Sequence, residues 1–395
     1  MNLKKELTSF GKDLIKGPWL AIKHHTPTTS LFVMAIIVFL GVAFYRFKYG
    51  LGVTGINDYT AWGLWTALKL FFVVSAGCGF MLTGMVYVFK MERFRPFVRS
   101  AALLGLIGYS TFALTLIFEL GWPWRIAHPI WMHNYHSILF EVAWCVILYL
   151  TILILEFVPN MFERFKMSKI LAVFKKLTPA FVISGIILSV LHQSSLGSLF
   201  VVAPYKMNHL WYSPWIGPFF IISAAFCGLA LIIVVELLMA IFNKTRAPID
   251  RLSDLGKYSV PILGLYLGFK IMDILERSNA RDAFLSFDLF TFLFIAEIGL
   301  GIALPIILYM NRKIRKSTRG LGLTAGLVLL FGGGLNRLNV SVIAVDHSPM
   351  GYTPTLVEYL YVLSIIIITA GVYIITTRLF PVRETFNSIS DSKAP

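Results

Sequence analysis

The sequence predicts an all-α, polytopic membrane protein of about ten transmembrane helices with both termini in the cytoplasm. Three observations carry this. Of the 395 residues, 57% are hydrophobic and only 14% charged, with a mean hydropathy of +0.76, which is more apolar surface than a water-soluble core can hide. Backbone N–H and C=O groups in lipid must be satisfied inside the protein, by helices or a closed barrel, and long unbroken apolar runs select helices. The connections between the runs are short, so no extramembrane domain is large enough to hold a cofactor of its own.

With about 20 residues needed to cross a bilayer, helices are expected at 30–46, 61–89, 98–121, 135–158, 179–203, 217–242, 259–276, 287–310, 320–345 and 355–378. The first follows a basic, polar segment, 1–29, that has no apolar region of its own, so no cleavable signal peptide is expected. Into the second run Asp58, Trp62, Trp65 and Lys69 recur at i, i+4, i+7 and i+11, one face that starts polar at the rim and carries a cation inward. The third is a plain apolar run. On the fourth, Asn134, Ser137, Glu141 and Trp144 share a face, and Glu141 lies only about 9 Å below the rim at 1.5 Å per residue. The fifth carries a stripe of small and polar residues, Gly185, Ser189, His192 and Ser195, which lets another helix or a flat ring approach closely.

The later helices are marked by isolated charges. Glu236 lies on the sixth, Glu297 on the eighth, and Lys270 and Asp273 are spaced i, i+3 on the seventh, where mutual neutralisation is expected. On the ninth, Arg337 follows three glycines at 332–334, which allow close backbone approach or a break in the helix. Pairing with Glu297 or with Glu141 is equally open to it. The tenth leads into a short tail, so the domain expectation is an N-terminal segment 1–29, a membrane domain 30–378 and a C-terminal tail 379–395. Cys78, Cys145 and Cys227 each sit inside an apolar run, widely separated and without metal or haem spacing, as packing residues do.

Orientation follows from counting Lys and Arg on alternate sides. The N-terminus, the loops near 90–99, 159–178, 243–257 and 311–319, and the tail together hold 26, against six on the other side, and the basic side is the cytoplasmic one. The same asymmetry accounts for most of the formal charge of +15 without nucleic acid, for which no basic stretch interleaved with stacking aromatics exists. The opposite side collects six histidines, His128, His133, His136, His192, His209 and His347, with many Trp and Tyr rings. An interfacial belt explains such rings but not the histidines.

A charge near the bilayer centre costs about 2.5–3.5 kcal/mol on insertion scales, so intramembrane ionisable groups are functional candidates. Quinol oxidation releases two electrons and two protons, and its site needs an acid/base pair at the ring oxygens, apolar walls and a path to water. Lys69, Glu141 and His192, on the second, fourth and fifth helices, are the catalytic candidates. The plainer alternative is a Lys69–Glu141 ion pair with His192 as a packing residue. Glu156, Glu236, Glu297 and Arg337 are candidates for a proton path.

The stretches NDYTAWGLW at 57–65, HSILFEVAWCVILYLTILILEF at 136–157, LHQSSLGSLFVVAPYKMNHLWYSPW at 191–215 and GGGLNRLNV at 332–340 resemble the NrfD/PsrC family, and most closely its ten-helix HybB-like branch. The resemblance runs from about Gly55 to Arg378. It implies a haem-free membrane subunit, without iron–sulfur clusters of its own, in a bacterial inner-membrane respiratory complex. Helices two to nine would form two four-helix bundles, with a menaquinone or ubiquinone pocket near the periplasmic face. It also implies a ferredoxin-like iron–sulfur partner docked on that face and a catalytic redox subunit: a hydrogenase, a molybdopterin enzyme or a multihaem cytochrome c. Its motif positions fall on Asp58, Trp62, Trp65, Glu141, His192, Gln193, Ser195 and Lys206, and the stretches around them add Tyr59, His136 and Ser137 as quinone-binding candidates. Two other readings compete. A b-type cytochrome would ligate haem through His136 and His192, and a proton-coupled or ion transporter would also use buried carboxylates and glycine-broken helices.

Overall fold

The computed structural model describes residues 26–60, 62–165, 167–202, 206–345 and 351–383. Ten helices are long and apolar enough to cross a membrane: α1 (Thr28–Val53), α2 (Leu64–Val88), α3 (Glu92–Glu119), α4 (Ile138–Arg164), α5 (Ser168–Val201), α6 (Ile216–Phe242), α7 (Ile249–Glu276), α8 (Leu289–Met310), α9 (Thr318–Val345) and α10 (Leu356–Leu379). All ten expected spans are present, and the described residues contain no strand. Helices α5 and α7 begin about three turns before the expected starts at 179 and 259, because Pro179 and Pro261 lie inside them and do not end them. The extra turns carry Lys169, Lys175, Arg251 and Lys257, polar enough to hide a helix from a search for apolar runs.

Successive helices alternate in direction, so the connections divide between two ends. One, the basic end, holds the α2–α3, α4–α5, α6–α7 and α8–α9 links. The other, the aromatic end, holds the α1–α2, α3–α4, α5–α6, α7–α8 and α9–α10 links. Contacts run in two closed circuits: α2 to α3 to α4 to α5 and back to α2, and α6 to α7 to α8 to α9 and back to α6. Helix α6 also packs on α2 and α5, and α1 pairs with α10 along the outside. The inner helices α2 and α6 are mostly buried, whereas α1 turns Leu31, Ile37, Leu40 and Phe44 outward and α5 turns out Ile183, Ile187 and Leu191. An apolar surface this continuous is stable only against lipid.

Close helix approach is set by glycine where α2 crosses α6. A Cβ on Gly77 would lie 2.2 Å from the Ala224 carbonyl oxygen, and one on Gly228 2.3 Å from the Cys78 nitrogen. Helices α8 and α9 meet the same way, through π-helical segments at Gly299–Ala303 and Val328–Leu335. The π turns shift register by one residue, so the 332–334 glycines do not break α9. They turn Asn336 and Arg337 toward the interior.

Candidate functional site

At the aromatic end the α1–α2 link is a tight turn in which Asn57 Oδ1 accepts from the Tyr59 and Thr60 N–H groups at 2.9 Å each. That leaves Asp58 and Tyr59 exposed. The segment is fixed from α10: the buried Glu358, part of a Thr355 capping box, accepts from Gly55 N at 2.8 Å and from the Tyr352 hydroxyl. Burial and the adjacent carboxylate push the Tyr352 phenol up, so it stays a donor to Glu358. The sequence gives Glu358 no distinction, since a glutamate at a helix start reads as an ordinary cap. The α3–α4 link is a 3-10 turn, Pro123–Ile130, anchored where Trp144 Nε1 donates to the Pro129 carbonyl at 3.0 Å. Trp122, Trp124, Trp131, Tyr135 and His136 stand exposed on it, as does Lys206 on the next link.

Just inside this rim, Glu141 lies in the first turn of α4, where a carboxylate is favoured by the unsatisfied N–H groups of the helix start. It is exposed on one side and on the other accepts from Ser195 Oγ of α5 at 2.5 Å. Ser137, at the cap position, is half-buried. One turn deeper on α5, His192 is wholly buried, its ring 5.3 Å from Tyr109 and 5.5 Å, edge-on, from Phe112 of α3. Neither of its ring nitrogens has a protein partner. The same holds for Gln193 Oε1 and Trp65 Nε1, although Gln193 Nε2 donates to the Val73 carbonyl at 2.9 Å. Leaving a buried polar atom unpaired costs roughly 1–3 kcal/mol, so these groups are held at a cost that packing alone does not explain. Trp62 stands edge-on to Phe200 at 5.0 Å, and the buried Trp65 packs on Tyr361 at 4.9 Å.

Lys69 does not pair with Glu141. Its ammonium pairs with Glu119 at the end of α3, which also accepts from Thr66 Oγ1 at 2.8 Å. Glu119 closes an apolar run and reads in the sequence as an interfacial residue. Only the α2–α3 packing places it against Lys69. On α3, Phe112, Thr115 and Glu119 follow one another at i, i+3 and i+7, so one helix face touches both the His192 ring and the Lys69 ammonium. Both carboxylate and ammonium are nearly buried, at 11% and 13% exposure. Glu119→Gln is therefore expected to lower stability by about 3 kcal/mol, read as earlier thermal unfolding of the purified protein in detergent, and Lys69→Met added to it should recover most of the loss. Equal melting of wild type and Glu119→Gln would show the pair to be dispensable.

The four proton-path candidates fall in three places. Glu297 accepts from Trp211 Nε1, Asn336 Nδ2 and Asn339 Nδ2 at 2.7–2.8 Å. Arg337 reaches neither Glu297 nor Glu141. It donates to Asn336 Oδ1 at 2.6 Å and Ser223 Oγ at 2.7 Å, stacked 3.6 Å over the Phe220 ring. Glu236, near the basic end, accepts from Ser100 Oγ at 2.9 Å and Arg383 at 2.7 Å. Glu156 lines a cavity of about 400 Å³ at the basic end of α2–α5. The expected Lys270–Asp273 neutralisation is replaced: Asp273 pairs with Arg277 at 2.6 Å and accepts from Ser213, while the Lys270 ammonium sits 4.3 Å over Phe219. An i+4 arginine with a planar fork wins the carboxylate over an i−3 lysine. Of the outer histidines, His347 lies outside the described residues.

The family described as polysulphide reductase, NrfD, matches residues 52–344. A probable Ni/Fe-hydrogenase 2 b-type cytochrome subunit of Escherichia coli K12 is 31% identical over 361 residues, covering 89% of this chain and 91% of its own. The integral membrane subunit of a menaquinone reductase from Nitratidesulfovibrio vulgaris is 30% identical over 256 residues, 60% of each chain. A subunit of the selenate reductase of Mesobacillus selenatarsenatis is 24% identical over 409 residues, 89% of this chain and 93% of its own. With ten membrane-crossing helices and a family match over most of its length, the chain is a multi-pass integral membrane protein that belongs to the NrfD family.

Proposed function

We propose that this chain is the quinone-reactive membrane subunit of a respiratory oxidoreductase complex in the bacterial inner membrane. It exchanges electrons between the menaquinone or ubiquinone pool and an iron–sulfur partner docked on the aromatic, periplasmic end. The observation that carries the reading is the pairing of an exposed carboxylate, Glu141, with Ser195 one turn above a buried His192 whose ring nitrogens have no protein partner. The relatives' names support it, since they describe an integral membrane subunit of a menaquinone reductase and subunits of a hydrogenase and a selenate reductase. Helices α2–α5 and α6–α9 act as two four-helix bundles, the first holding the site.

A quinone head group needs donors and acceptors at its two oxygens and flat apolar walls. The unpaired atoms of His192, Gln193 and Trp65 supply the first and Trp62, Phe112 and Phe200 the second. Ser195 links the interior to Glu141, which passes protons to water at the rim, where Asp58, Tyr59, His136, Ser137 and Lys206 surround the entrance. The bound quinone supplies the two-electron chemistry, and electrons pass between it and the partner, whose catalytic subunit is a hydrogenase, a molybdopterin enzyme or a multihaem cytochrome c.

The test is to purify the tagged chain with its native partners, identify them, and measure quinol oxidation alongside a pyridine haemochrome spectrum. Quinol turnover with an iron–sulfur partner and no stoichiometric haem is expected. One haem per chain would replace this reading with the b-type cytochrome that the Escherichia coli relative's name describes.

A further inference from the structure

Two groups of the proposed quinone site stand at the very start of α2, and that start is held from the far end of the chain. Leu64 is the first residue of α2, with Trp62 two residues before it and Trp65 one after. The first N–H groups of a helix have no partner within it. Here the Leu64 N–H donates to the Tyr352 hydroxyl at 2.7 Å, and that hydroxyl in turn donates to Glu358. The glycines of the α1–α2 link make room for this. A Cβ on Gly63 would lie 2.7 Å from Tyr352 Oη and 2.8 Å from Glu358 Oε1, and one on Gly55 would lie 2.3 Å from the Thr353 carbonyl oxygen.

Glu358 is wholly buried, and its two oxygens are divided between the α1–α2 and α9–α10 links. Oε2 accepts from Gly55 N at 2.8 Å and from Thr355 N at 2.9 Å, while Oε1 takes the Tyr352 hydroxyl. Thr355 Oγ1 adds a bond to the Val53 carbonyl at 2.8 Å. One turn along α10, Tyr361 packs on Trp65 at 4.9 Å and donates to Thr115 of α3 at 2.9 Å. The first turn of α2 is thus gripped through its backbone and through its ring. Helix α10 packs on α1, α2 and α3, whereas Glu141 stands on α4 and His192 and Ser195 on α5.

We propose that Tyr352 and Glu358 form a latch that positions Trp62 and Trp65 for the quinone, so that the peripheral helix α10 sets quinone affinity. Both are positioning residues, acting through α2. The latch rests on the quinone reading above and assigns ring binding and proton exchange to different helices. The phenol is the pivotal group, because it accepts from α2 and donates to α10 at once, and phenylalanine does neither. Releasing the first turn of α2 misplaces both tryptophans and weakens binding in the ground state and the transition state alike. Such a loss raises KM and leaves kcat, since the proton-exchanging groups on α4 and α5 keep their places.

The test is steady-state oxidation of a short-chain quinol by the native complex, with ferricyanide as acceptor, beside thermal unfolding of each variant. Tyr352→Phe should raise KM for the quinol at least about fivefold and hold kcat within about twofold. Glu358→Gln, which keeps the volume and an acceptor for Gly55 N, should raise KM in the same direction by less. The control is Tyr373→Phe, whose hydroxyl lies 2.5 Å from Ser100 Oγ at the other end of α10. Its loss should lower the unfolding temperature and leave KM within about twofold. Earlier unfolding of Tyr352→Phe with an unchanged KM would make the contact structural and overturn the latch, as would a fall in kcat alone. If Tyr352→Phe yields no complex, Glu358→Gln decides, and an unchanged KM there overturns the latch. In each of these cases wild-type turnover leaves the quinone reading standing. Absence of quinol oxidation in wild type defeats that reading and the latch with it.

Discussion

His192→Ala and Glu141→Gln are each expected to lower quinone turnover of the assembled complex by about a hundredfold or more, with the partner subunits still bound. The reason is geometric. His192 is enclosed by Tyr109 and Phe112, with nothing in the protein to hold its nitrogens, and Glu141 is the exposed end of the Ser195 link. In the proposed function, removing the imidazole would remove the interior proton group, and neutralising the glutamate would close the exit to the rim. Glu141→Asp keeps a carboxyl and should recover turnover partly, with a shifted pH profile, which a merely structural role would not produce. Removing a buried ring also leaves a hole, so His192→Gln, closer in volume, separates a packing loss from a chemical one. Full turnover in both Glu141→Gln and His192→Ala would refute the site.

Gly228→Leu is expected to destroy the fold. A Cβ there would stand 2.3 Å from the Cys78 backbone nitrogen and 2.4 Å from the Gly77 carbonyl carbon, and backbone cannot swing aside as a side chain can. Separating α2 from α6 would part the two halves of the protein, a loss of more than about 4 kcal/mol. The measurement is the yield of monodisperse protein after detergent extraction. Gly268→Leu on α7, where nothing lies within 4 Å of the added carbon, is the control and should extract normally. Equal yields would mean that the crossing is looser than these distances.

Much of this architecture was legible in the chain. Apolar runs of bilayer length give the ten helices, because lipid leaves the backbone no other partner than itself. The stripe Gly185, Ser189, His192 and Ser195 was visible for the same reason, as small and polar residues recurring on one helical face. Charges at helix ends were harder to interpret, since a glutamate at an interface costs little and signals nothing. Glu119 and Glu358 therefore passed as ordinary residues although one holds Lys69 and the other holds the α1–α2 turn.

Apolar runs along the chain fix the number of membrane helices and show which side chains are expensive to bury, although α5 and α7 start about three turns before their apolar runs. The pairing of those side chains is set by helix packing instead. Lys69 meets Glu119 rather than Glu141, Asp273 meets Arg277 rather than Lys270, and Arg337 meets Asn336 and Ser223 rather than a carboxylate. Hydropathy is a sum over neighbours along one helix and survives without knowledge of the rest. A partner in an ion pair is chosen within a few ångströms, and helices from distant parts of the chain reach that range only once glycine contacts and π turns have set their crossings and registers.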